Sequence, residues 1–211
     1  MQHITFISTI HKSTGQCNAE ELHNIITGIK PEVIFAEALE DTYSGYEHLL
    51  FSSFGVYHRK LEIAAIQQYA RHHSFEYIPV LDEGLSDALD KRAAKVVQNR
   101  DWQSLIDNFD ELAAAQGFKF LNSQLCITLQ ENMRALEGHI INDVEAEKAF
   151  QAGINTYEDG MMRNIYTYCK NHDFGSAIFM CGAAHRQSII EKIERFKARE
   201  GIPPQWTVFE G

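Results

Sequence analysis

Apolar residues recur with two different periods along this chain, and the changes of period mark its elements. His3-Ile4-Thr5-Phe6-Ile7-Ser8 is a β-branched and aromatic run that breaks into the polar, turn-like His11-Lys12-Ser13-Thr14-Gly15, so a strand and a loop are predicted. Asn18 then caps a helix whose first turn carries Glu20 and Glu21 at the positive end of the dipole, with Leu22, Ile25, Ile26 and Ile29 at helical spacing and Pro31 as its stop. Glu32-Val33-Ile34-Phe35-Ala36-Glu37 is nearly continuous in apolar residues, the pattern of a parallel strand covered on both faces. A helix from about Arg59 to His73 buries Leu61, Ala65, Ile66 and Tyr69, and Phe75 to Val80 forms a third strand ending at Leu81-Asp82. From Leu85 to Lys170 the pattern is almost entirely helical, with Asp101-Trp102, Gly117, Gly138 and Gly153 as expected breaks. Ser176 to Cys181 is a fourth strand, Gly182-Ala183-Ala184-His185 turns into a helix through roughly Lys197, and Gln205 to Phe209 reads as a last edge strand.

Strands alternating with helices predict an α/β fold with a mostly parallel central sheet flanked by helices. The stretch at roughly 85–150 is too long for one crossover, so it is expected as a helical block inserted between the third and fourth core strands. A length of 211 residues suits a single domain, 1–211, with one well-buried core. No internal repeat or low-complexity segment is present.

Charge narrows the partners. The net charge of −10 works against the counterion release on which nucleic-acid binding depends. The densest basic group, Lys91, Arg92, Lys95 and Arg100, is interleaved with Asp87, Asp90 and Asp101 and reads as a solvated helix face. No apolar run approaches the ~20 residues of a membrane span, and no basic, cleavable leader precedes the first strand, so a cytoplasmic protein is expected. Cys17, Cys126, Cys169 and Cys181 form no CxxC pair and read as reduced structural thiols. A homodimer is compatible with the sequence.

In an open α/β sheet, ligands bind outside the carboxyl ends of the strands. His11 follows the first strand, Glu37 closes the second, Asp82 and Glu83 follow the third, and His185 follows the fourth. A carboxylate ending the run Val33-Ile34-Phe35-Ala36 is costly to bury unless paired or bound to a metal; an arginine such as Arg163 is the plain partner. Imidazole nitrogen with carboxylate oxygen suits Zn, Mn, Fe or Co, and the lack of convergent thiolates argues against a structural zinc site. An ion with few protein ligands keeps positions open for water and lowers its pKa towards ~7. Glu62 or Asp82 is then placed to act as general base.

These residues resemble a known family. Ser8-Thr9-Ile10-His11, Lys30-Pro31-Glu32-Val33-Ile34-Phe35-Ala36-Glu37 and Gly182-Ala183-Ala184-His185 are similar to the signature of the TraB/PrgY family, which belongs with the Tiki metalloproteases, the ChaN-like haem-binding lipoproteins and the erythromycin esterase-like proteins. Its marks are two G-x-x-H motifs, each after a strand, and a glutamate ending the strand between them. Glu62 in a Glu-x-x-Ala helix, Asp82 after the next strand, and Arg163 in Met161-Met162-Arg163-Asn164 also fit. The resemblance covers the two sheet-forming ends of the chain and not its helical middle. It implies a hydrolase of peptide or ester bonds dependent on Mn, Co or Zn, with His11, Glu37 and His185 as metal ligands and catalytic centre, Glu62 assisting, and Arg163 and Asp82 on the substrate. The peptide-pheromone and haem-binding branches imply an alternative, a module that holds a peptide, haem or small ligand without turnover. One departure stands out: Ser8 occupies the glycine position of the first motif.

Three other patterns in the chain carry less. The Lys12-Ser13-Thr14 run lacks the preceding glycines of a phosphate loop. Ser53 and Ser188 have no G-x-S-x-G context. The aromatic stretch Tyr43, Tyr46, Phe51, Phe54 and Tyr57 suits a pocket wall and a packed loop equally.

Overall fold

The computed structural model describes residues 1–39, 59–83, 92, 94–200 and 204–211. The aromatic stretch from Tyr43 to Tyr57, Ser53, and the charged residues Asp87, Asp90 and Lys91 lie outside the described residues. Five parallel strands form one sheet in the order β3-β2-β4-β1-β5: β1 is His3–Thr9, β2 Val33–Leu39, β3 Glu76–Leu81, β4 Ser176–Gly182 and β5 Gln205–Val208. The α/β class and the parallel sheet expected from the pattern are therefore found, and β5 is an edge strand, with β3 at the opposite edge. No described helix is long and apolar enough to cross a membrane.

Both sheet faces are covered, and the strands sort their side chains by alternation. Ile4 and Phe6, Val33 and Phe35, and Ala177, Phe179 and Cys181 face one side. Ile7, Ile34 and Ala36, and Ile178 and Met180 face the other. Period two in each strand, with an apolar residue at nearly every position, is what two covered faces require.

The second face carries α1 (Ala19–Ile29), α2 (Leu61–Ala70), α3 (Arg100–Leu121) and α4 (Gln124–Ile141). The first carries α5 (Val144–Asn171) and α6 (Arg186–Glu200). Asn18 caps α1 by accepting from the amides of Glu20 and Glu21, a device worth about 1 kcal/mol. Leu22 and Ile26 are its buried stripe. Lys30, in the left-handed region at φ 54°, ends it just before Pro31.

The breaks in the helical region differ from expectation at two of the glycines. Gly138 and Gly153 lie inside α4 and α5. The real boundaries are polar caps: Asn99, Ser123 and Asp143 each accept from amides of the following turn, and Asn142 ends α4 at φ 48°. Gly117 does interrupt α3, at φ 57° and ψ −139°. A Cβ there would lie 2.2 Å from a Glu21 oxygen, and the same carboxylate accepts from the Phe118 amide at 3.1 Å, so the kink is also where α3 meets α1.

The solvated basic face is corrected at Arg92 alone, since Lys95 and Arg100 are exposed as expected. Arg92 is 7% exposed, donates to Glu137 and Glu147 at 2.5 Å each, and lies 4.1 Å over the Phe150 ring. It is a buried clamp between helices, not part of a solvated stripe. All four cysteines are free, and burial pushes the thiols of Cys17, Cys126 and Cys169 up to about 12, which keeps them protonated.

Candidate functional site

Glu37 follows Ala36 in β2, so the alternation turns its side chain to the α5 face. There Tyr157 donates its hydroxyl to Oε1 at 2.6 Å, and the Gly182 amide at the end of β4 donates to Oε2 at 2.7 Å. No arginine takes part. Burial works against the charge, but His185, Tyr157, Gly182 and the Cys181 thiol outweigh it and hold the carboxyl below its ordinary value. Burial and the adjacent Glu37 push the Tyr157 phenol far up, so it stays a donor.

His185 ends a one-turn 3-10 segment, Ala183–His185, that leads from β4 into α6. Its Nδ1 lies 2.7 Å from Oε1 of Glu158, and its Nε2 lies 3.7 Å from Oε1 of Glu37. An ionised carboxylate only accepts, so Nδ1 is the protonated nitrogen. At 3.7 Å the Nε2–Glu37 approach is too long for a hydrogen bond. Glu158 is wholly buried, with Ser188 Oγ donating to its Oε2 at 2.5 Å and Lys192 Nζ 3.4 Å away. Burial opposes its charge, and His185, Ser188 and Lys192 together still hold its pKa below the ordinary value.

His11 belongs to a second group. Its Nδ1 lies 2.8 Å from Glu62 Oε1, which also accepts from Thr9 Oγ1 at 3.0 Å. The hydrogen bond to Glu62 raises its pKa, against the opposing effect of burial. The other oxygen, Glu62 Oε2, is buried without a hydrogen-bond partner among the described residues. His11, Glu37, Glu62 and Thr9 line a small chamber of about 30 Å³, room for a water or an ion. A second chamber, about 350 Å³, is walled by Trp102, Met133, Phe150 and Ile154 and reaches Arg134 and His185. Glu37 lines the first and His185 the second, and the two side chains approach to 3.7 Å.

Of the predicted residues, Glu37 and His185 thus approach each other, while His11 pairs with Glu62 in the small chamber that Glu37 also lines. Asp82 and Arg163 pair with each other instead, at 3.4 Å and half-exposed, and Asn164 donates to Asp82 at 2.7 Å. Neither lines the two chambers. The donors at the centre, imidazole nitrogen and carboxylate oxygen with an orphaned Glu62 oxygen nearby, have the chemistry of a divalent-ion site. Among the described residues, however, no group of three His, Cys, Asp or Glu side chains stands ready-spaced to hold one.

Ser8, the departure from the glycine pattern, has a structural job. Its hydroxyl accepts from Arg186 Nη1 at 3.1 Å, its amide donates to Asn122 Oδ1 at 2.8 Å, and its carbonyl accepts from Asn122 Nδ2 at 3.2 Å. Arg186, 3% exposed, also donates to Asn122 Oδ1 and to the carbonyls of Asn122 and Phe209 at 2.7–2.8 Å. One guanidinium so ties the end of β1, the α3–α4 corner and the C-terminal segment to the residue after His185.

Sequence reasoning missed Tyr157, Glu158, Ser188, Lys192 and Arg186. Glu158 had a signal: it shares one helix stripe with the buried Ile154, Met161, Met162 and Ile165. A glutamate within an apolar stripe is as pointed as one ending an apolar strand. No protein-family model, curated protein or solved structure matches the chain.

Proposed function

We propose that the protein is a metal-dependent hydrolase of peptide or ester bonds, as the resemblance to the TraB/PrgY family implies. The observation that carries the reading is the His185 imidazole, pinned at Nδ1 by buried Glu158 and turned at Nε2 to Glu37 across 3.7 Å. Metal-binding histidines characteristically give their other ring N–H to a carboxylate, which fixes the tautomer and raises the basicity of the ligating nitrogen. Metal–ligand bonds are about 2.0–2.2 Å, so two donors within ~4 Å of each other can share one ion. Glu37 and His185 would be its donors, with His11 as the third. His11 is 59% exposed at its side chain and has room to turn from Glu62. A bound Mn, Co or Zn would supply hydroxide at neutral pH.

The chain's own groups have defined tasks in this reading. Glu158 holds the His185 tautomer, and Tyr157 with Gly182 aims the Glu37 carboxylate. Glu62, whose Oε2 is buried with no hydrogen-bond partner among the described residues, would accept the proton of the attacking water. Asp82 is engaged by Asn164 and Arg163 and is the weaker candidate for the base.

A panel of peptides and aryl esters, assayed with and without Mn, Co and Zn, tests the proposal. Turnover is expected only with metal, and to vanish in Glu37→Ala and His185→Ala. Protein that neither binds these ions in a thermal-shift titration nor hydrolyses any substrate with them would sink it. The larger chamber also favours a second reading, a module that holds a small ligand or haem without turnover. A Soret band on haem addition, lost in His185→Ala, would support that instead.

A further inference from the structure

We propose that the larger chamber is a specificity pocket for an apolar side chain next to a free carboxylate, so that the substrate is a short peptide or N-acyl amino acid bound by its C-terminal end. The inference rests on the hydrolase reading for the cleavage, but not for the binding. The chamber's volume of about 350 Å³ is within the range of small-molecule sites, roughly 300–1,000 Å³. Its walls are apolar and aromatic: Trp102, Met133, Phe150 and Ile154.

Its charged groups are unequal. Glu137 is engaged by buried Arg92 at 2.5 Å, but Arg92 pairs with Glu147 as well, so these three groups together keep one negative charge. Arg134 makes one hydrogen bond, from Nη2 to the Ala184 carbonyl at 2.9 Å, and no ion pair with any described residue. That bond fixes the guanidinium beside the residue preceding His185 while leaving most of its five N–H donors for a ligand. A planar guanidinium held at one nitrogen is suited to a carboxylate, which it can grip with two parallel hydrogen bonds. An apolar wall with one fixed cation at the His185 end selects an amphiphilic anion. A substrate carboxylate on Arg134 with its side chain between Trp102 and Phe150 would bring its acyl bond towards Glu37 and His185.

The test is direct binding of N-acetyl-L-phenylalanine and of its C-terminal amide to metal-free protein, read by Trp102 emission in a Trp206→Phe background. The acid is expected to bind about tenfold more tightly than the amide, and Arg134→Gln to abolish that difference. Equal binding of acid and amide to the wild-type chamber overturns the inference, as does no binding of either at about 10 mM. The comparison of two probes on one protein holds even if Arg134→Gln folds poorly. Carboxylate-selective binding with no metal-dependent turnover would leave this pocket standing and remove the hydrolase; turnover with no carboxylate preference would do the reverse.

Discussion

Glu158 Oε1 accepts from His185 Nδ1 at 2.7 Å, and Glu158 is the one partner of that imidazole with no exposed surface at all. The pair decides which nitrogen of His185 faces Glu37. Glu158→Gln keeps the volume but removes the charge that His185, Ser188 and Lys192 share. Breaking a buried charge network by removing one member costs about 3 kcal/mol, so chemical denaturation should show a loss near that size. Metal affinity should fall at least ~10-fold, because the outer carboxylate no longer fixes the tautomer. Unchanged stability and unchanged affinity would mean that Glu158 does not govern His185.

Ser8 is expected to be a working part of the fold rather than a degenerate glycine. Ser8→Gly removes one acceptor from a guanidinium whose Nε is already buried without a partner. The expected cost is about 1–2 kcal/mol. Arg186→Lys loses the fork that reaches Ser8, Asn122 and Phe209 together and should cost more. Hydrogen exchange supplies the specific readout: the C-terminal residues after β5 should lose protection in Arg186→Lys, since the Phe209 carbonyl is released. Exchange there that matches the wild type would contradict the clamp.

The titrations run in opposite senses. The His11 pKa is raised from its ordinary 6.5 by Glu62, so what this pair contributes is fully present below about pH 6.5 and is lost as pH rises through the raised value. Glu37 and Glu158 are held below their ordinary 4.5, so their contribution is present above about pH 4.5 and is lost as pH falls through the lowered values. In an NMR titration, Glu62→Gln should bring the His11 midpoint back down. A His11 midpoint that does not move would show that Glu62 is not its partner in solution.

The sheet was legible because strands covered on both faces write near-continuous apolar runs, as in Val33-Ile34-Phe35-Ala36. The rim positions of His11, Glu37 and His185 followed from the strand ends alone. The partners of those residues were harder to read, since Tyr157, Glu158 and Lys192 sit on α5 and α6, far along the chain from the strands they serve. Arg92 misled for a related reason: its neighbours in sequence are charged, but its neighbours in space are Glu137, Glu147 and Phe150. The helix ends were marked by Asn99, Ser123 and Asp143, whose capping side chains outweigh interior glycines as punctuation.

The ligand roles of the two histidines should be unequal. His185 is already oriented by Glu158 and faces Glu37, whereas His11 must leave Glu62 to join an ion. Ordering an exposed side chain and breaking a 2.8 Å hydrogen bond both subtract from affinity. Isothermal titration with Mn or Co should therefore give weak binding in the wild type, near micromolar or above, with His185→Ala losing it altogether and His11→Ala weakening it about tenfold. Glu62→Gln, which loosens the hold on His11, should bind the ion no worse than the wild type. If His11→Ala proves the more damaging of the two histidine variants, the centre is organised around Glu62 and the small chamber rather than around the Glu37–His185 pair.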